Sequence, residues 1–577
     1  MFKKIVKTCL FLKIVISVLV LSLFLPWVLR AKGGRLPVYA ENGMVVSSSE
    51  IASEVGRDIL KKGGNSIDAA VATAFSLAVT CPRAGNIGGG GFLVYHRSDG
   101  MVTTIDFREK APLAANKKMY LDKTGAIKDN SNHDGFLSIG VPGTVAGLYK
   151  AHSLYGKLPW SDLLKPAIKL ADRGFNVTWG LYKDLSDPFT KKRLQAYETS
   201  KKIYFDRDFE PLKPGFKWRQ PELAQTLRRI QKKGHNGFYK GETAKRLSDF
   251  ILENGGIITE EDLGKYEAIE RKPVHGIYRG YDIYSMPPPS SGGIAIIEML
   301  NILEGYNLKA TGHNSALYIH LLSETMRRAF ADRAEYLGDP DFNHDMPVEM
   351  LISKNHAEKL RSTISLTGKS DSDPDGFNNV YESEETTHLS VMDKERSAVS
   401  LTYTLEYSFG SGIVAEGLGF LLNNEMGDFN AVPGLTDTTG MIGTKPNLIA
   451  PEKRMLSSMS PTIVSNKGQP LLVIGSPGGR TIINTVLEII LNHIDHGMNV
   501  AEAIGAGRFH HQWLPDVLYV EKNSISKDTE NILTELGYKI EYRDSQGRAM
   551  GIYYDAEKKL INGAADPRSY DGAAVGY

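Results

Sequence analysis

The sequence predicts an α+β fold in which helices cover sheets, most economically as a four-layer αββα sandwich. Two successive helical patterns stand near the N-terminal end, a hairpin pattern begins after residue 385, and further strand patterns flank one long apolar helix. Strand blocks that alternate with buried helices need helices on the outer faces of their sheets. With 577 residues the chain can bury a large core, as one layered domain or as several.

Residues 1–40 have the pattern of an export signal or a signal anchor. A basic start, MFKKIVK, precedes an apolar run at 14–29 that only serines and Pro26 interrupt. The run is shorter than the about 20 residues of a relaxed membrane span, and the short residues of PVYA end at Ala40, where a signal peptidase could cut. That cut would lie unusually far from the apolar run. Both outcomes stay open, with export favoured over a permanent membrane anchor.

The bulk composition favours a small-molecule partner. The formal net charge of +1 gives no electrostatic reason to expect nucleic acid or an anionic membrane surface. The two cysteines, Cys9 and Cys81, cannot form a disulfide framework, and Cys81 is expected to be a buried thiol. Export with so little cysteine predicts a bacterial periplasm or cell surface as the location.

Two helices and a strand are predicted after residue 40. Ile51, Val55 and Ile59 recur at helical spacing, KKGGN ends this helix, and an apolar second helix follows at 67–79. Glycines at 88–91 then precede an apolar strand. A phosphate-binding loop would need different glycine spacing and a following helix, so these glycines predict close backbone packing instead.

The middle of the chain, to about residue 360, has mostly helical patterns, and a linker follows it. The segment 367–385 is acidic and rich in turn-forming residues, which predicts a flexible exposed linker. Beyond it, TTHLSVMD and AVSLTYTL alternate in period two around the turn DKERS, the pattern of a β-hairpin. Further strands are predicted at GFLLNN, SPTIVSN, PLLVIGSP, YVEK, YKIEYRD and GIYYD, with a helix at TIINTVLEIILNHIDHG.

The hairpin contains a candidate nucleophile. Thr386 and His388 lie on one face of its first strand, and pairing the polar faces of the two strands returns Thr404 to the start of the first. A threonine hydroxyl is a weak nucleophile unless a base stands beside it. A free α-amino group on the same residue, with a reference pKa of about 7.7–8.0, is one solution. That solution requires cleavage of the Glu385–Thr386 bond; without it, the segment is an ordinary surface hairpin.

Three polar turns downstream carry groups that a nucleophilic site needs. LLNNEMGDF places Glu425 and Asp428 after a strand, and RMLSSMSPT holds two adjacent serines. VIGSPGGRTIIN puts Gly478 and Gly479 at a strand-to-helix junction, where free N–H groups and the helix dipole favour negative charge. Such donors can stabilise a developing oxyanion by roughly 3 kcal/mol. Each turn alone is ordinary, but their joint occurrence favours an active site.

Many motifs along the chain resemble those of the gamma-glutamyltransferase (gamma-glutamyltranspeptidase) family: TTHLSV, TYTL, FGSGI, LLNNEM, LSSMSPT, GSPGG, RFHHQWLP, ADPRS, DFREKAP and GGNSIDAAVA. The resemblance covers essentially the whole chain after about residue 41. It implies the N-terminal nucleophile hydrolase fold and a precursor that cuts itself before Thr386. A large subunit, 41–385, and a small subunit, 386–577, would remain together as a heterodimer. No metal or organic cofactor is implied.

The resemblance assigns the catalytic roles. Thr386 resembles the nucleophile whose hydroxyl attacks a γ-glutamyl carbonyl while its own amine acts as the base. Thr404 resembles the residue that orients this hydroxyl, and the N–H groups of Gly478 and Gly479 would form the oxyanion hole. The role of Thr404 agrees with the strand pairing argued from the hairpin.

The resemblance also implies a site for the zwitterionic head of the substrate. Arg108 of DFREKAP resembles the clamp on the α-carboxylate, a role suited to a planar bidentate donor. Asp428, assisted by Glu425, would bind the α-ammonium group. Two serines would also hold the carboxylate: Ser457 and Ser458.

The chain departs from the family pattern at three places. Many members have two acidic residues where Gly427 precedes Asp428, so the ammonium site has fewer charges. Glu406 follows TYTL where some bacterial members carry Asn, a change that bears on substrate preference. The segment 430–454 is long enough for the lid that some members have, but Thr439 stands about where an aromatic gate is expected. The sequence therefore favours the lid and disfavours its gate.

Three functions are compatible with this pattern. The leading one is an exported γ-glutamyl hydrolase and transferase that forms an acyl-enzyme on Thr386 from glutathione or similar compounds. The acyl group would pass to water, an amino acid or a peptide. The second function keeps the fold and nucleophile but acts on poly-γ-glutamate or a cephalosporin side chain. The third is a non-catalytic, membrane-anchored binding protein, which the complete set of motif residues disfavours.

Overall fold

The computed structural model describes residues 35–373, 386–436 and 442–577. In chain order its strands are β1 Val38–Ala40, β2 Met44–Ser47, β3 Gly90–His96, β4 Val102–Phe107, β5 Phe175–Asn176, β6 Lys217–Trp218, β7 Ile269–Arg271, β8 Val274–Tyr278, β9 Tyr281–Ser285, β10 Thr387–Met392, β11 Ala398–Thr404, β12 Thr462–Asn466, β13 Gln469–Gly475, β14 Phe509–His510, β15 Leu518–Glu521, β16 Ile540–Arg543, β17 Met550–Asp555, β18 Leu560–Ala565 and β19 Ala573–Gly576.

Its α-helices are α1 Glu50–Lys61, α2 Ser66–Thr80, α3 Thr144–Tyr155, α4 Trp160–Arg173, α5 Trp179–Ser186, α6 Pro188–Gln195, α7 Glu198–Tyr204, α8 Pro221–Lys233, α9 Asn236–Tyr239, α10 Glu242–Glu253, α11 Glu260–Lys265, α12 Gly292–Leu303, α13 Leu308–Thr311, α14 Ala316–Tyr336, α15 Val348–Leu351, α16 Lys354–Ser362, α17 Thr481–Ile494, α18 Val500–Gly505 and α19 Lys527–Glu535.

Two seven-stranded sheets form the centre of the fold. The first sheet has the order β19-β2-β10-β11-β3-β4-β7, and the second has the order β1-β18-β17-β13-β12-β9-β8. Polar side chains of the first sheet reach the second. Ser390 Oγ donates a hydrogen bond to the Met550 carbonyl, and Ser400 Oγ donates one to the Ile474 carbonyl, both at 3.0 Å. The two sheets therefore pack face to face.

Helices cover the outer faces of both sheets. Helices α2 and α3 pack against strands of the first sheet, whereas α12, α17 and α18 pack against strands of the second. On the outer face of the first sheet, Leu389, Val391 and Leu401 share one apolar core with the residues of α2. The predicted α+β architecture, an αββα sandwich, is confirmed.

Helix α2 shows how local sequence determines these elements. The Asn65 side chain accepts a hydrogen bond from the N–H of Asp68, and the Asp68 carboxylate accepts one from the N–H of Asn65. This capping box satisfies donors that a helix start otherwise leaves unpaired. Every residue of α2 is buried, as its nearly continuous pattern of small and apolar residues predicts. The two helices predicted near residues 51 and 67 are thus confirmed.

The glycines at 88–91 allow β3 to approach its neighbours closely, as predicted. A Cβ on Gly89 would lie 2.0 Å from the Thr404 carbonyl oxygen, and one on Gly91 would lie 2.4 Å from the Thr402 carbonyl oxygen. These distances are far below van der Waals contact, so larger residues would push β3 away from β11. The glycines therefore hold the end of β11 in place.

One prediction of local structure is wrong. GFLLNN forms a loop with an isolated bridge between Leu421 and Val414, and Asn423 fixes it by donating from Nδ2 to the carbonyls of Gly88 and Gly140, both at 2.8 Å. The middle region is mostly helical, as predicted, and it also contains the β8–β9 hairpin, for which no strands were predicted. Each of its strands has five residues.

The two predicted subunits contribute to both sheets. In the first sheet, β10, β11 and β19 from the segment 386–577 lie among β2, β3, β4 and β7 from the segment 41–385. In the second sheet, β12 from the later segment adjoins β9 from the earlier one. Pro37–Tyr577 accordingly forms one compact unit. A chain cut before Thr386 would keep both pieces in the same two sheets.

Several predicted features lie outside the described residues. These are the apolar run at 14–29 with Cys9, the end of the acidic linker with Glu385, and Thr439. Within the ranges that the structure describes, no helix is both long and apolar enough to cross a membrane.

Candidate active site

Four strand ends meet at one end of the first sheet. Because β10, β11, β3 and β4 are successively antiparallel, the start of β10, the end of β11, the start of β3 and the end of β4 lie side by side. The register pairs Thr404 with Gly90 and Gly91 with Phe107. Thr386 and Arg108, which are far apart in the sequence, therefore leave the sheet at the same end.

Thr386 stands directly before β10 and has 6% of its surface exposed. Extending the β10–β11 register by one residue places it opposite Thr404. The next residue, Thr387, points to the opposite face, where its Oγ1 shares a hydrogen bond with Ser48 Oγ at 2.9 Å. This alternation agrees with the predicted difference between the two threonines: Thr386 shares a face with His388.

Hydrogen bonds hold both the backbone carbonyl and the hydroxyl group of Thr404. Its carbonyl accepts a hydrogen bond from Asn86 Nδ2 at 2.8 Å, and its Oγ1 accepts one from the N–H of Glu406 at 2.9 Å. Glu406 has a φ of +78°, so the backbone turns sharply after the strand. The hydroxyl that is predicted to orient Thr386 is thus positioned by the turn that follows it.

A cavity of about 40 Å³ adjoins Thr386, and its wall includes Ser48, Arg83 and Pro477. This volume has room for water rather than for a peptide. Cys81 also lines the cavity. Burial raises the pKa of its thiol to about 12, so Cys81 stays protonated and does not compete as a nucleophile.

The turn with Gly478 and Gly479 leads from β13 into α17. Gly478 has a φ of +136°, and its carbonyl accepts a hydrogen bond from Thr481 Oγ1 at 2.7 Å. In the described part of the chain, neither glycine N–H donates to another residue. Pro477, directly before the pair, lines the cavity beside Thr386. The turn with these two donors thus begins beside the cavity at Thr386, and its role as an oxyanion hole stays a prediction.

Arg108 follows β4 and is buried among three carboxyl groups. Its Nη1 lies 2.5 Å from Glu425 Oε2 and 3.4 Å from Glu109 Oε2, and its Nη2 forms an ion pair with Asp428. Its Nε donates to the Met455 carbonyl at 3.3 Å. The structure therefore brings together the three residues predicted to bind the two charges of the substrate head, and pairs them with one another.

This cluster contains more carboxyl groups than cations. Burial raises the pKa of Glu109 to about 8 and that of Glu425 to about 8, although the charge of Arg108 opposes both shifts. Asp428 and Glu406 add further carboxyl groups close to Glu425. A dry site with surplus carboxyl groups favours the binding of another cation, such as an α-ammonium group.

His133 occupies the space that the missing second acid would need. A Cβ on Gly427 would lie 2.2 Å from His133 Nδ1. The same nitrogen lies 2.8 Å from Glu406 Oε1, and the imidazole stacks on Tyr407 with 5.2 Å between ring centroids. Burial lowers the pKa of His133 to about 4, so the ring is neutral near pH 7. One histidine thus contacts both of these departures from the family pattern, Gly427 and Glu406.

Ser457 and Ser458 are buried directly after the stretch that contacts Arg108. Ser458 Oγ accepts a hydrogen bond from Arg333 Nη2 at 3.0 Å, and the Ser457 carbonyl accepts one from Ser291 Oγ at 2.7 Å. Leu456, the residue before them, accepts from Arg108 Nη2 at 3.4 Å through its carbonyl. The two serines are therefore part of the same site as Arg108, and their contact with a carboxylate stays a prediction.

A family model described as gamma-glutamyltranspeptidase matches residues 52–576. The chain belongs to the gamma-glutamyltranspeptidase family. It is 47% identical over 543 residues to the glutathione hydrolase proenzyme of Escherichia coli (strain K12), with 94% of this chain and 93% of that protein covered. It is 39% identical over 555 residues to the glutathione hydrolase proenzyme of Bacillus subtilis (strain 168), with 93% and 92% covered.

Solved structures of the gamma-glutamyltranspeptidase family and its relatives share the fold. The cephalosporin acylase from Bacillus halodurans matches with a TM-score of 0.81 at 28% identity, covering 94% of this chain and 97% of that one. The Helicobacter pylori gamma-glutamyltranspeptidase matches with a TM-score of 0.55 at 44% identity, covering 58% of this chain and 93% of that chain. These matches confirm the N-terminal nucleophile hydrolase fold that the motifs implied.

Sequence reasoning missed two side chains of this family member's site. His133 lies in a polar turn without a periodic pattern, and Arg333 lies on the long helix α14. Neither belongs to a recognisable motif, so no local signal could have found them.

In the predicted lid, 430–454, the Asn447 side chain donates a hydrogen bond to the Asp428 carbonyl at 2.7 Å, which links the described part of this segment to the acidic cluster.

Proposed function

We propose that this chain is a self-processing gamma-glutamyltransferase and glutathione hydrolase. The observation that carries the proposal is the position of Thr386, opposite Thr404 and at the same sheet end as the buried cluster of Arg108, Glu425 and Asp428. Family membership and the glutathione hydrolase proenzymes among its relatives support both the activity and the processing.

Cleavage before Thr386 supplies the base that the hydroxyl needs. The new α-amino group accepts the proton of the Thr386 hydroxyl as its oxygen attacks the γ-carbonyl carbon of the substrate. The N–H groups of Gly478 and Gly479 stabilise the negative oxygen, and the proton passes to the leaving amine. The resulting γ-glutamyl ester is then attacked by water, which gives glutamate, or by an amine of an amino acid or peptide acceptor.

The charge of the site supports a substrate with a free α-amino acid head. Arg108 can hold the α-carboxylate, while the surplus carboxyl groups of Glu425 and Asp428 favour the α-ammonium group. A cephalosporin side chain is the second candidate, because the structure matches a cephalosporin acylase along most of both chains. An acyl chain without an ammonium group offers no cation to these carboxyl groups, so the γ-glutamyl substrate is the better fit.

Export to a bacterial periplasm or cell surface is supported by the N-terminal sequence pattern. Strand β1, Val38–Ala40, pairs with β18 at the edge of the second sheet, so a cut after Ala40 would remove an edge strand. A cut upstream of Val38 would retain it. The mature N-terminus of the secreted protein distinguishes these cuts from a retained membrane anchor.

The activity is tested with purified protein and glutathione, by measuring glutamate release with and without a dipeptide acceptor. We expect turnover that Thr386→Ala abolishes and that Thr387→Ala retains, because the two side chains lie on opposite faces of β10. A cephalosporin with an acyl side chain serves as the competing substrate. Turnover of the cephalosporin without turnover of any γ-glutamyl compound would contradict the proposal.

A further inference from the structure

Helix α12 carries one carboxyl group in a largely apolar setting. Glu298 lies in the middle of GGIAIIEMLNIL, a helix with every residue buried, and 1% of its own surface is exposed. Its Oε1 has no hydrogen-bond partner among the described residues. A carboxyl group in such a place is costly unless a proton or a cation neutralises it.

Two further side chains of the kind that bind metals meet Glu298. Asp332 is on α14, and His356 is on α16 with its Nε2 2.6 Å from Asp332 Oδ2. One candidate ligand atom from each of the three residues lies within 4.8 Å of the other two. Across the described ranges, neither carboxyl group has an arginine or lysine partner. The side chains of Asp332 and His356 are each 16% exposed, so solvent can reach the cluster.

We propose that Glu298, Asp332 and His356 bind one divalent metal ion, with Zn²⁺ as the best match. The ligand atoms of the three residues lie close enough to share one ion, and a dication would compensate the charge of the two carboxylates, which have no arginine or lysine beside them in the described chain. Carboxylate oxygen and imidazole nitrogen are both zinc ligands, whereas Ca²⁺ and Mg²⁺ prefer oxygen ligands alone. Three protein ligands and one water molecule from the exposed side give the tetrahedral arrangement that Zn²⁺ favours.

The ion would link three helices of the predicted large subunit: α12, α14 and α16. Its role is structural, because its ligands are not among the residues of the candidate active site. Arg333 directly follows Asp332 on α14 and donates to Ser291 Oγ at 2.9 Å and to Ser458 Oγ at 3.0 Å. By fixing α14, the ion would also stabilise the position of Arg333 beside Ser458.

The test uses the full processed protein, which is treated with EDTA to remove bound metal ions and then dialysed against ZnCl₂. Bound zinc is measured by inductively coupled plasma mass spectrometry, and the apparent Tm is measured with and without Zn²⁺. We expect the wild type to bind one more zinc ion per chain than Glu298→Gln or His356→Ala. We also expect zinc to raise the Tm of the wild type but of neither variant.

His275→Ala is the matched control, because it removes an exposed histidine that contacts an aspartate: His275 Nε2 lies 2.9 Å from Asp282 Oδ1. It is expected to keep the wild-type zinc content and Tm shift. His356 is partly exposed, so its variant can be tested even if Glu298→Gln fails to fold. Equal zinc uptake by the wild type and His356→Ala, or no zinc-dependent rise in the wild-type Tm, would overturn the proposal.

Discussion

Arg108→Met removes the cation at the centre of the substrate site. Its guanidinium group contacts Glu425 at 2.5 Å and Glu109 at 3.4 Å, and it pairs with Asp428. Removing one partner of a buried ion pair costs about 3–5 kcal/mol of stability, because the remaining charges have no counter-charge. We therefore expect the free energy of unfolding of this variant to fall by about that amount.

The loss is expected to depend on pH. Burial already raises the pKa of Glu425 and Glu109 to about 8 each, and without Arg108 both values rise further. At pH values between the usual carboxyl pKa and the raised one, the folded variant binds more protons than the unfolded chain. Its stability therefore falls as the pH rises. Urea unfolding at pH 6 and pH 8 measures this directly. A variant as stable as the wild type at pH 8 would refute the reasoning.

Arg108→Lys separates charge from geometry at the same position. The ammonium group of lysine keeps the positive charge, but it cannot bind two carboxyl groups at once as the planar guanidinium group of arginine does. We expect the KM for glutathione to rise by about 10–100-fold, about 1.4–2.8 kcal/mol, with a smaller change in kcat. Arg97→Lys is the matched control, since Arg97 forms an exposed pair with Asp99. Both proteins should first show two bands on a denaturing gel, and an unchanged KM in Arg108→Lys would contradict the assigned role.

Three further predictions concern Thr404, His133 with Gly427, and His388. Thr404→Ala is expected to lower kcat for glutathione by about 100-fold and Thr404→Ser to retain most of it, because the hydroxyl orients the nucleophile. Gly427→Asp is expected to cost about 1–3 kcal/mol through overpacking, measured by urea unfolding, and His133→Ala in the same chain should recover it. Burial lowers the pKa of His388 to about 3 and that of His133 to about 4. The unfolded chain therefore binds more protons below pH 6.5, and stability should fall towards pH 4 by up to about 1.4 kcal/mol per pH unit for each histidine, a slope that His388→Gln should reduce.

The hairpin could be predicted from sequence because its information is local. Alternation predicts which side chains share a face, and pairing the polar faces of the two strands agrees with the observed register, in which His388 lies opposite Thr402. The position of Thr404 beside the start of β10 followed from these two facts alone. The loop at GFLLNN was missed for the opposite reason. Its apolar residues are buried as those of a strand would be, but Asn423 donates its hydrogen bonds to the carbonyls of Gly88 and Gly140, which belong to distant segments.

The substrate site could not be built from local patterns. Arg108 and Glu425 are 317 positions apart, and they meet because β3 and β4 lie beside β11 in the first sheet. That strand order depends on long-range pairing. The polar turn LLNNEMGDF pointed to Glu425, but the motif resemblance supplied Arg108 and the substrate-binding roles of both residues. His133 shows the limit of both approaches, because a polar turn gives no sign that its imidazole will fill the space beside Gly427.

Whether the peptide bond before Thr386 is cleaved is the most direct test of the proposed nucleophile. N-terminal sequencing and intact mass analysis of the purified wild type are expected to show two chains, the smaller beginning at Thr386. Thr386→Ala is expected to give a single uncut chain, while Thr387→Ala should be cut like the wild type, because its side chain points to Ser48. A wild-type protein that hydrolyses glutathione as one uncut chain, or that is cut at another bond, would contradict the assignment of Thr386 as the nucleophile.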